Sequence, residues 1–164
     1  TIEAIEQALD KLRPRGLLSI TRRCKSPPRD SLKMLATVAE ALRHRGISNP
    51  AKHIIMIRSW ATSSIVVSPQ PFSELQIADA RRFAQERCFD LVHLPGIEPA
   101  EVNRFHILEG PIYYNSAQQI LSTAYESFYR NYSYNIRPAS DDRPYFFDFF
   151  KRTVNHQVYS VIKL

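Results

Sequence analysis

The chain has 164 residues, of which 44% are hydrophobic, and this length and composition suffice for one domain with a buried core. Its formal charge of +6 favours an acidic partner, and its two cysteines exclude a fold held together by several disulfides and favour a reducing compartment. No apolar stretch approaches the roughly 20 residues of a membrane-spanning helix, and the amphipathic opening segment is unlike a secretory signal.

The first 46 residues predict a helix, a strand and a second helix. Apolar residues recur every three or four positions over 2–12, which is typical of a helix. The mostly apolar run 17–21 is typical of a strand buried inside a parallel sheet. A second helix is predicted from residue 30 or 31, with Gly46 as its C-terminal cap.

Two β-rich segments, 53–60 and 62–68, follow with almost no connector between them. Such closely spaced strands predict an antiparallel hairpin. Trp60 is expected at the reversal, packed against a helix.

The rest of the chain alternates again. A helix is predicted over 73–87 and a short strand over 89–92. Residues 101–108 are a weaker helix candidate and 117–132 a strong one, with Ser116 as its N-cap. These elements together predict an α/β fold with a helical C-terminal part.

The segment 137–151 combines acidic residues, two arginines and five aromatic residues, which indicates a turn that docks or forms a pocket. Asp141, Asp142, Arg143 and Tyr145 are candidate substrate-binding residues within it. The acid-acid-base triplet is more often a structural ion-pair turn, and that interpretation is favoured here.

Tyr113 and Tyr114 are further substrate-binding candidates, since a pair of aromatic rings can stack on a flat ligand. The alternative, a half-buried pair that leads into a helix, is favoured. Cys24 lies between Arg23 and Lys25, which would favour its thiolate, but no histidine is near it in sequence, so an inert thiol is expected. The spacing of the histidines and cysteines predicts no metal site.

The order helix, strand, helix and hairpin resembles the second half of a Rossmann-like methyltransferase, in which the fifth strand is followed by a helix and the sixth and seventh strands form a hairpin. Two segments share this resemblance. Residues 12–20, Leu-Arg-Pro-Arg-Gly-Leu-Leu-Ser-Ile, resemble the entry to the fifth strand, and residues 41–46 resemble the end of the next helix.

The pattern Tyr-x-Ile-x-Pro-x-x-Asp-Asp-Arg-Pro-Tyr-Phe-Phe over 134–147 resembles the end of the methyltransferase-like domain in bacterial proteins related to spermidine synthase. Residues 26–33 also resemble a segment of that family. The resemblance runs from about Leu9 to Lys151. It implies that 1–110 is the C-terminal part of a Rossmann-like fold and that 111–164 is a helical, aromatic-rich extension packed on it.

The resemblance also implies a cofactor, S-adenosylmethionine or its decarboxylated form, for a longer parent protein. This chain has no Gly-x-Gly, so no cofactor is expected to bind to it alone. The basic stretch with Arg22, Arg23 and Lys25 follows the predicted fifth strand, where an open α/β sheet presents its ligands. Three cations there favour an anionic acceptor over a polyamine.

Two functions are compatible with these patterns. The first is the substrate side of a methyltransferase or aminopropyltransferase, in which an acceptor attacks the carbon next to a sulfonium, and this chain alone is inactive. The second is a noncatalytic module that binds an acidic protein, a lipid or a nucleic acid, although no specific nucleic acid is expected. The first function predicts that this chain pairs with the N-terminal half of the parent protein, or that two copies of the chain form a homodimer through an exposed strand edge. The family implies a cytoplasmic location, in many members close to a membrane.

Overall fold

Residues 1–151, the part of the chain that the computed structural model describes, form four strands and five α-helices. The helices are α1 (Ile2–Asp10), α2 (Asp30–His44), α3 (Glu74–Glu86), α4 (Ile112–Leu121) and α5 (Tyr125–Asn131). The strands are β1 (Leu18–Arg23), β2 (Ile54–Arg58), β3 (Thr62–Val67) and β4 (Asp90–His93). Short 3-10 helices occupy Pro50–His53 and Pro99–Glu101. The α/β class is therefore confirmed.

The four strands form one sheet in the order β1-β3-β2-β4, and every neighbouring pair is antiparallel. Ile65 of β3 is paired with Ile20 of β1 on one side and with Met56 of β2 on the other. The predicted hairpin of β2 and β3 is confirmed. Because β3 lies between them, β1 and β2 run in the same direction.

The expectation that the first strand is buried within a parallel sheet is wrong for residues 1–151. β1 is an edge strand, antiparallel to β3, and its side chains alternate between half-buried and exposed. Leu18 and Ile20 face the core, whereas Ser19 and Thr21 face solvent. The leucine pair at 17 and 18 concealed this alternation, since Leu17 is itself exposed.

α2 forms the centre of the larger core because ten of its fifteen residues are buried. It packs with α1, α4 and α5 against one face of the sheet, where Met56, Ile65 and Val92 are buried. Gly46, at φ 80°, ends the helix as predicted: its amide donates to Arg43 and that of Ile47 donates to Leu42. Glycine adopts this left-handed conformation without the cost imposed by a Cβ.

α3 covers the other face of the sheet over β2 and β4. Ser73 caps the helix, and Ile77 and Ala84 pack beside Ile55 and Leu91. The inward face of α3 leaves out two large apolar residues, Leu75 and Phe83, which are exposed. Leu75 is 79% exposed, because the packed face of α3 is set by where it lies on the sheet.

Two helix predictions in the C-terminal half are wrong. The predicted helix 101–108 is an irregular loop after the 3-10 turn. The predicted helix 117–132 is two helices, and the first begins well before Ser116, which is buried inside it. The hydroxyl of Ser122 donates to the carbonyl of Gln119 and accepts from the amide of Ala124, which replaces helical bonding at the break.

The start of α1 is joined to the segment after α5. The amide of Ile2 donates to the carbonyl of Ala139 at 2.8 Å, and the amide of Asp141 donates to the carboxylate of Glu3 at 3.0 Å. Within residues 1–151, every helix is too short or too polar to cross a membrane.

Candidate functional site

The strand directions bring four chain segments to one edge of the sheet. β1 and β2 end there, at Arg23 and Arg58, whereas β3 and β4 begin there, at Thr62 and Asp90. The basic stretch 22–25, the turn 59–62 and the start of β4 are therefore neighbours. We refer to these residues, with the loop 103–108 that packs on them, as the β1/β2 edge.

A buried ion pair organises this edge. The guanidinium of Arg58 lies 3.1 Å from the carboxylate of Asp90, and both side chains are almost completely buried. Asp90 also accepts hydrogen bonds from the backbone amides of Arg104, Phe105 and His106. Burial acts to raise the pKa of the Asp90 carboxyl, but the three amides and Arg58 outweigh it and hold that pKa below its ordinary value.

The same pair fixes the loop 103–108. Arg58 donates to the carbonyl of His106 at 2.6 Å and to the side chain of Asn103 at 3.1 Å. Asn103 in turn exchanges two hydrogen bonds with the backbone of Leu108. The loop thus takes its shape from polar contacts, which explains why its sequence resembled a helix only weakly.

Tyr113 holds the chain after β1 in place. Its hydroxyl accepts from the amide of Lys25 at 3.0 Å and donates to the carbonyl of the same residue at 2.9 Å. The ring is buried, and the Arg58 guanidinium lies 5.6 Å from its centre. Burial is the main reason why the pKa of the Tyr113 phenol lies well above its ordinary value. Tyr113 is therefore a structural support of the edge, and Tyr114 beside it is only half-buried.

The two predicted arginines of β1 point to opposite faces of the sheet. Arg22 lies 3.2 Å from Asp30, and its guanidinium lies 4.4 Å from the centre of the Phe146 ring. Arg23 is exposed. In the described part of the chain, Arg23 and Lys25 have no carboxylate within ion-pair distance, so both charges are available at the edge.

Cys24 lies between these cations, and its side chain is half-buried beside Tyr113 and Ser63. Burial raises the pKa of its thiol against the opposing effects of Tyr113, Arg58 and Ser63. Cys24 therefore carries less thiolate at neutral pH than its basic neighbours in sequence would indicate.

Asp141, Asp142, Arg143 and Tyr145 are not among the residues of this edge; they lie on a turn in which the amide of Arg143 donates to the carbonyl of Ser140, and Phe146, next to Tyr145, contacts Arg22. All four side chains are exposed, and within residues 1–151 none of the three charged ones forms an ion pair. The structural ion-pair turn expected for them is absent from the described residues. Asp142, Arg143 and Tyr145 line an open groove of about 930 Å³ that also contacts Lys33.

Lys33 is the buried cation behind that groove. Its ammonium group donates to the carbonyls of Asp148, at 2.9 Å, and Tyr145, at 3.3 Å. The rings of Phe146 and Phe149 lie 5.9 Å and 5.4 Å from it. Burial lowers the pKa of Lys33, and Asp148 opposes that effect. These contacts dock the aromatic segment on α2, as the sequence of this segment indicated.

Sequence reasoning overlooked Arg58, Asp90 and Lys33. For Asp90 a signal was present, because it is the one acidic residue in the otherwise apolar run 89–92, and a buried carboxylate requires a partner. Lys33 carried the same kind of signal within the apolar face of α2. Trp60 was expected to pack against a helix, but it is 78% exposed.

No group of three or more histidine, cysteine, aspartate or glutamate side chains in residues 1–151 is arranged to hold a metal ion. Comparison of the chain with protein-family models, with curated proteins and with solved structures finds no match.

Proposed function

We propose that this chain forms the acceptor side of an S-adenosylmethionine-dependent transferase, of the methyltransferase type, whose cofactor-binding half pairs with the free edge of β1. The observation that carries the proposal is the position of β3 between β1 and β2. The sequence resemblance implies that the hairpin after the helix returns its second strand beside the strand that precedes the helix. β1, β2 and β3 have this arrangement, because β3 is paired with β1.

The outer edge of β1, which no strand within residues 1–151 covers, supports the same proposal. Cys24 donates its amide to Ala61 of the turn before β3, and hydrogen bonding alternates along an antiparallel strand. The amides of Ser19, Thr21 and Arg23 therefore face away from β3. Unpaired backbone groups of this kind are a template for a further strand.

The chain does not itself fit the cofactor. A dinucleotide-type cradle needs glycines in the turn between a strand and the following helix. Gly16 precedes β1, Gly46 ends α2, and Gly96 and Gly110 lie in the loops after β4. The turn between β1 and α2 contains two prolines and no glycine. Cofactor binding is therefore assigned to the other half of the sheet.

The acceptor is assigned to the β1/β2 edge, since open α/β sheets bind ligands at the carboxyl ends of their parallel strands. Arg23 and Lys25 are exposed there. Their charges repel a polyamine, so the methyltransferase type is preferred to the aminopropyltransferase type.

One observation favours a second candidate, a noncatalytic module in which β1 remains an edge strand. Ser19, Thr21 and Arg23 make one face of β1 polar, and the hydroxyls of Thr21 and Ser64 lie 2.8 Å apart on that face. Strands inside doubly wound sheets are apolar on both faces. The two candidates therefore differ in whether a further strand covers the β1 edge.

The test compares this chain with the translation product of the complete reading frame that contains it. We expect the complete product to bind S-adenosylmethionine in calorimetry and to protect the amides of Ser19, Thr21 and Arg23 from hydrogen exchange. This chain alone should do neither. Thr21→Pro removes an amide that β3 does not use, so it should leave this chain folded and abolish cofactor binding by the complete product, whereas Thr21→Ala should not.

A complete product without affinity for S-adenosylmethionine would overturn the proposal. So would equally fast exchange of the amides of Ser19, Thr21 and Arg23 in this chain and in the complete product, because the edge of β1 would then be open in both.

A further inference from the structure

The turn between β2 and β3 presents its tryptophan on a rigid support. The amide of Ser59 donates to the carbonyl of Thr62 at 2.8 Å, and the hydroxyl of Ser59 accepts from the amides of Ala61 and Thr62 at 3.3 Å and 3.2 Å. Trp60 occupies the second position of this closed turn and is 78% exposed.

Trp60 belongs to neither hydrophobic cluster of the described residues. Its ring takes part in none of the aromatic pairs or cation–π contacts found in residues 1–151, although ten such cation–π contacts involve phenylalanine or tyrosine rings there. An exposed indole on a fixed turn is a large flat surface that loses little conformational freedom when a ligand stacks on it.

Two available cations lie beside the turn. Cys24 donates its amide to the carbonyl of Ala61 at 2.7 Å, and Arg23 is paired in register with Thr62, so Arg23 and Lys25 flank the residues next to Trp60. Two further arginines of this edge, Arg22 and Arg58, are neutralised by carboxylates.

The exposed Glu109 directly follows the loop 103–108, but the described residues that define the β1/β2 edge carry no exposed carboxylate. Its acidic residue, Asp90, is buried and paired with Arg58. A third exposed cation, Arg104, lies in the loop that Arg58 and Asp90 hold against the edge. The charge of the exposed surface is thus positive, next to an aromatic platform.

We infer that the Trp60 turn, with Arg23 and Lys25, binds a planar ring that bears an anionic group, the ring stacked on the indole and the anion contacted by the two cations. A nucleotide, free or within a single strand, has this chemistry. That this ligand is the acceptor of the transferase rests on the proposed function. Its binding does not, because all the residues that contact it are in this chain.

The chain is suited to a direct test because Trp60 is its single tryptophan. Quenching of indole fluorescence therefore reports contact at this turn and nowhere else. Adenosine 5′-monophosphate is the probe. Two control ligands separate its parts: adenosine carries the ring without the anion, and inorganic phosphate carries the anion without the ring. A short oligoadenylate distinguishes a single strand from a free nucleotide as the source of the ligand.

We expect saturable quenching by the monophosphate, weaker quenching by adenosine and none by phosphate. Arg23→Ala and Lys25→Ala should each raise the dissociation constant about twofold to fivefold, the range for an exposed ion pair. Arg87→Ala is the control, since Arg87 is an exposed cation at the end of α3. Trp60→Ala, followed by calorimetry, should abolish binding of the monophosphate. Tighter binding of oligoadenylate than of the monophosphate would identify a single strand as the source.

Two results would overturn the inference. One is the absence of quenching by the monophosphate and the oligonucleotide. The other is equal quenching by adenosine and the monophosphate that neither Arg23→Ala nor Lys25→Ala changes. Neither result bears on S-adenosylmethionine binding by the complete product, so this inference and the proposed function can fail separately.

Discussion

Arg58 and Asp90 form an ion pair of 3.1 Å in which both side chains are buried, although 31 residues separate them in the chain. The pair joins the end of β2 to the start of β4. Through the amides of residues 104–106 it also holds the loop that packs on the β1/β2 edge.

Asp90→Asn should destabilise the fold by about 3 to 5 kcal/mol, because it leaves the Arg58 charge buried without its partner. Urea unfolding at neutral pH measures the effect. Asp79→Asn is the matched control, since Asp79 pairs with Arg82 on the exposed surface of α3 and should change stability by less than about 1 kcal/mol. Equal effects of the two substitutions would mean that the buried pair does not support the fold.

Stability should also fall in acid in a way that depends on Asp90. The pKa of its carboxyl is lower in the folded chain than the unfolded value of about 3.9, so its contribution is complete above the unfolded pKa and is lost as the pH falls through the folded one. The free energy of unfolding, measured from pH 6 to pH 2, should decline less steeply for Asp90→Asn than for the unmodified chain. Parallel curves would contradict the assignment.

Lys33→Met should release the aromatic segment from α2. The substitution keeps the apolar stem but removes the hydrogen bonds to the carbonyls of Tyr145 and Asp148, and we expect a loss of about 1.5 to 3 kcal/mol. Amide exchange and chymotrypsin cleavage at residues 145–150 should both become faster. Lys52→Met, at an exposed lysine, is the control. Unchanged exchange in the segment would show that other contacts fix it.

Arg143→Ala should change the free energy of unfolding by no more than about 0.5 kcal/mol, since Arg143 is exposed and pairs with no described carboxylate. Thermal unfolding measures this directly. A loss of about 2 kcal/mol would support the structural ion-pair turn that the sequence indicated for residues 141–143.

The two cysteines should react at different rates. Cys88 is exposed, whereas Cys24 is half-buried and burial raises the pKa of its thiol. Iodoacetamide should therefore alkylate Cys88 first, as peptide mass mapping would show, and the rates should converge in urea. Faster labelling of Cys24 in the folded chain would mean that Arg23 and Lys25 activate it after all.

Local patterns were sufficient for much of the fold. The hairpin 53–68 and the cap at Gly46 depend on neighbours in sequence, and both were predicted correctly. The division between α4 and α5 was missed because the apolar spacing continues through it, whereas the hydroxyl of Ser122 decides the break.

The candidate site depended on tertiary contacts that no local pattern specifies. Arg22 and Arg23 are adjacent and identical in sequence, yet only the alternation of β1 decides that Arg22 meets Asp30 and that Arg23 is exposed. The pairing of Arg58 with Asp90 likewise follows from the order of the strands, which the sequence did not reveal for β4.

The hydrogen bonds that join α1 with Ala139 and Asp141 have a consequence for synthesis on the ribosome. Translation at about 5 to 20 residues per second places roughly 7 to 30 s between the appearance of Ile2 and that of Ala139. During that interval the apolar face of α1, with Ile2, Ile5 and Leu9, lacks part of its final covering. The nascent chain therefore exposes apolar surface of α1 until residues 139–141 have been synthesised. During this interval α1 is a target for chaperones that bind exposed apolar segments.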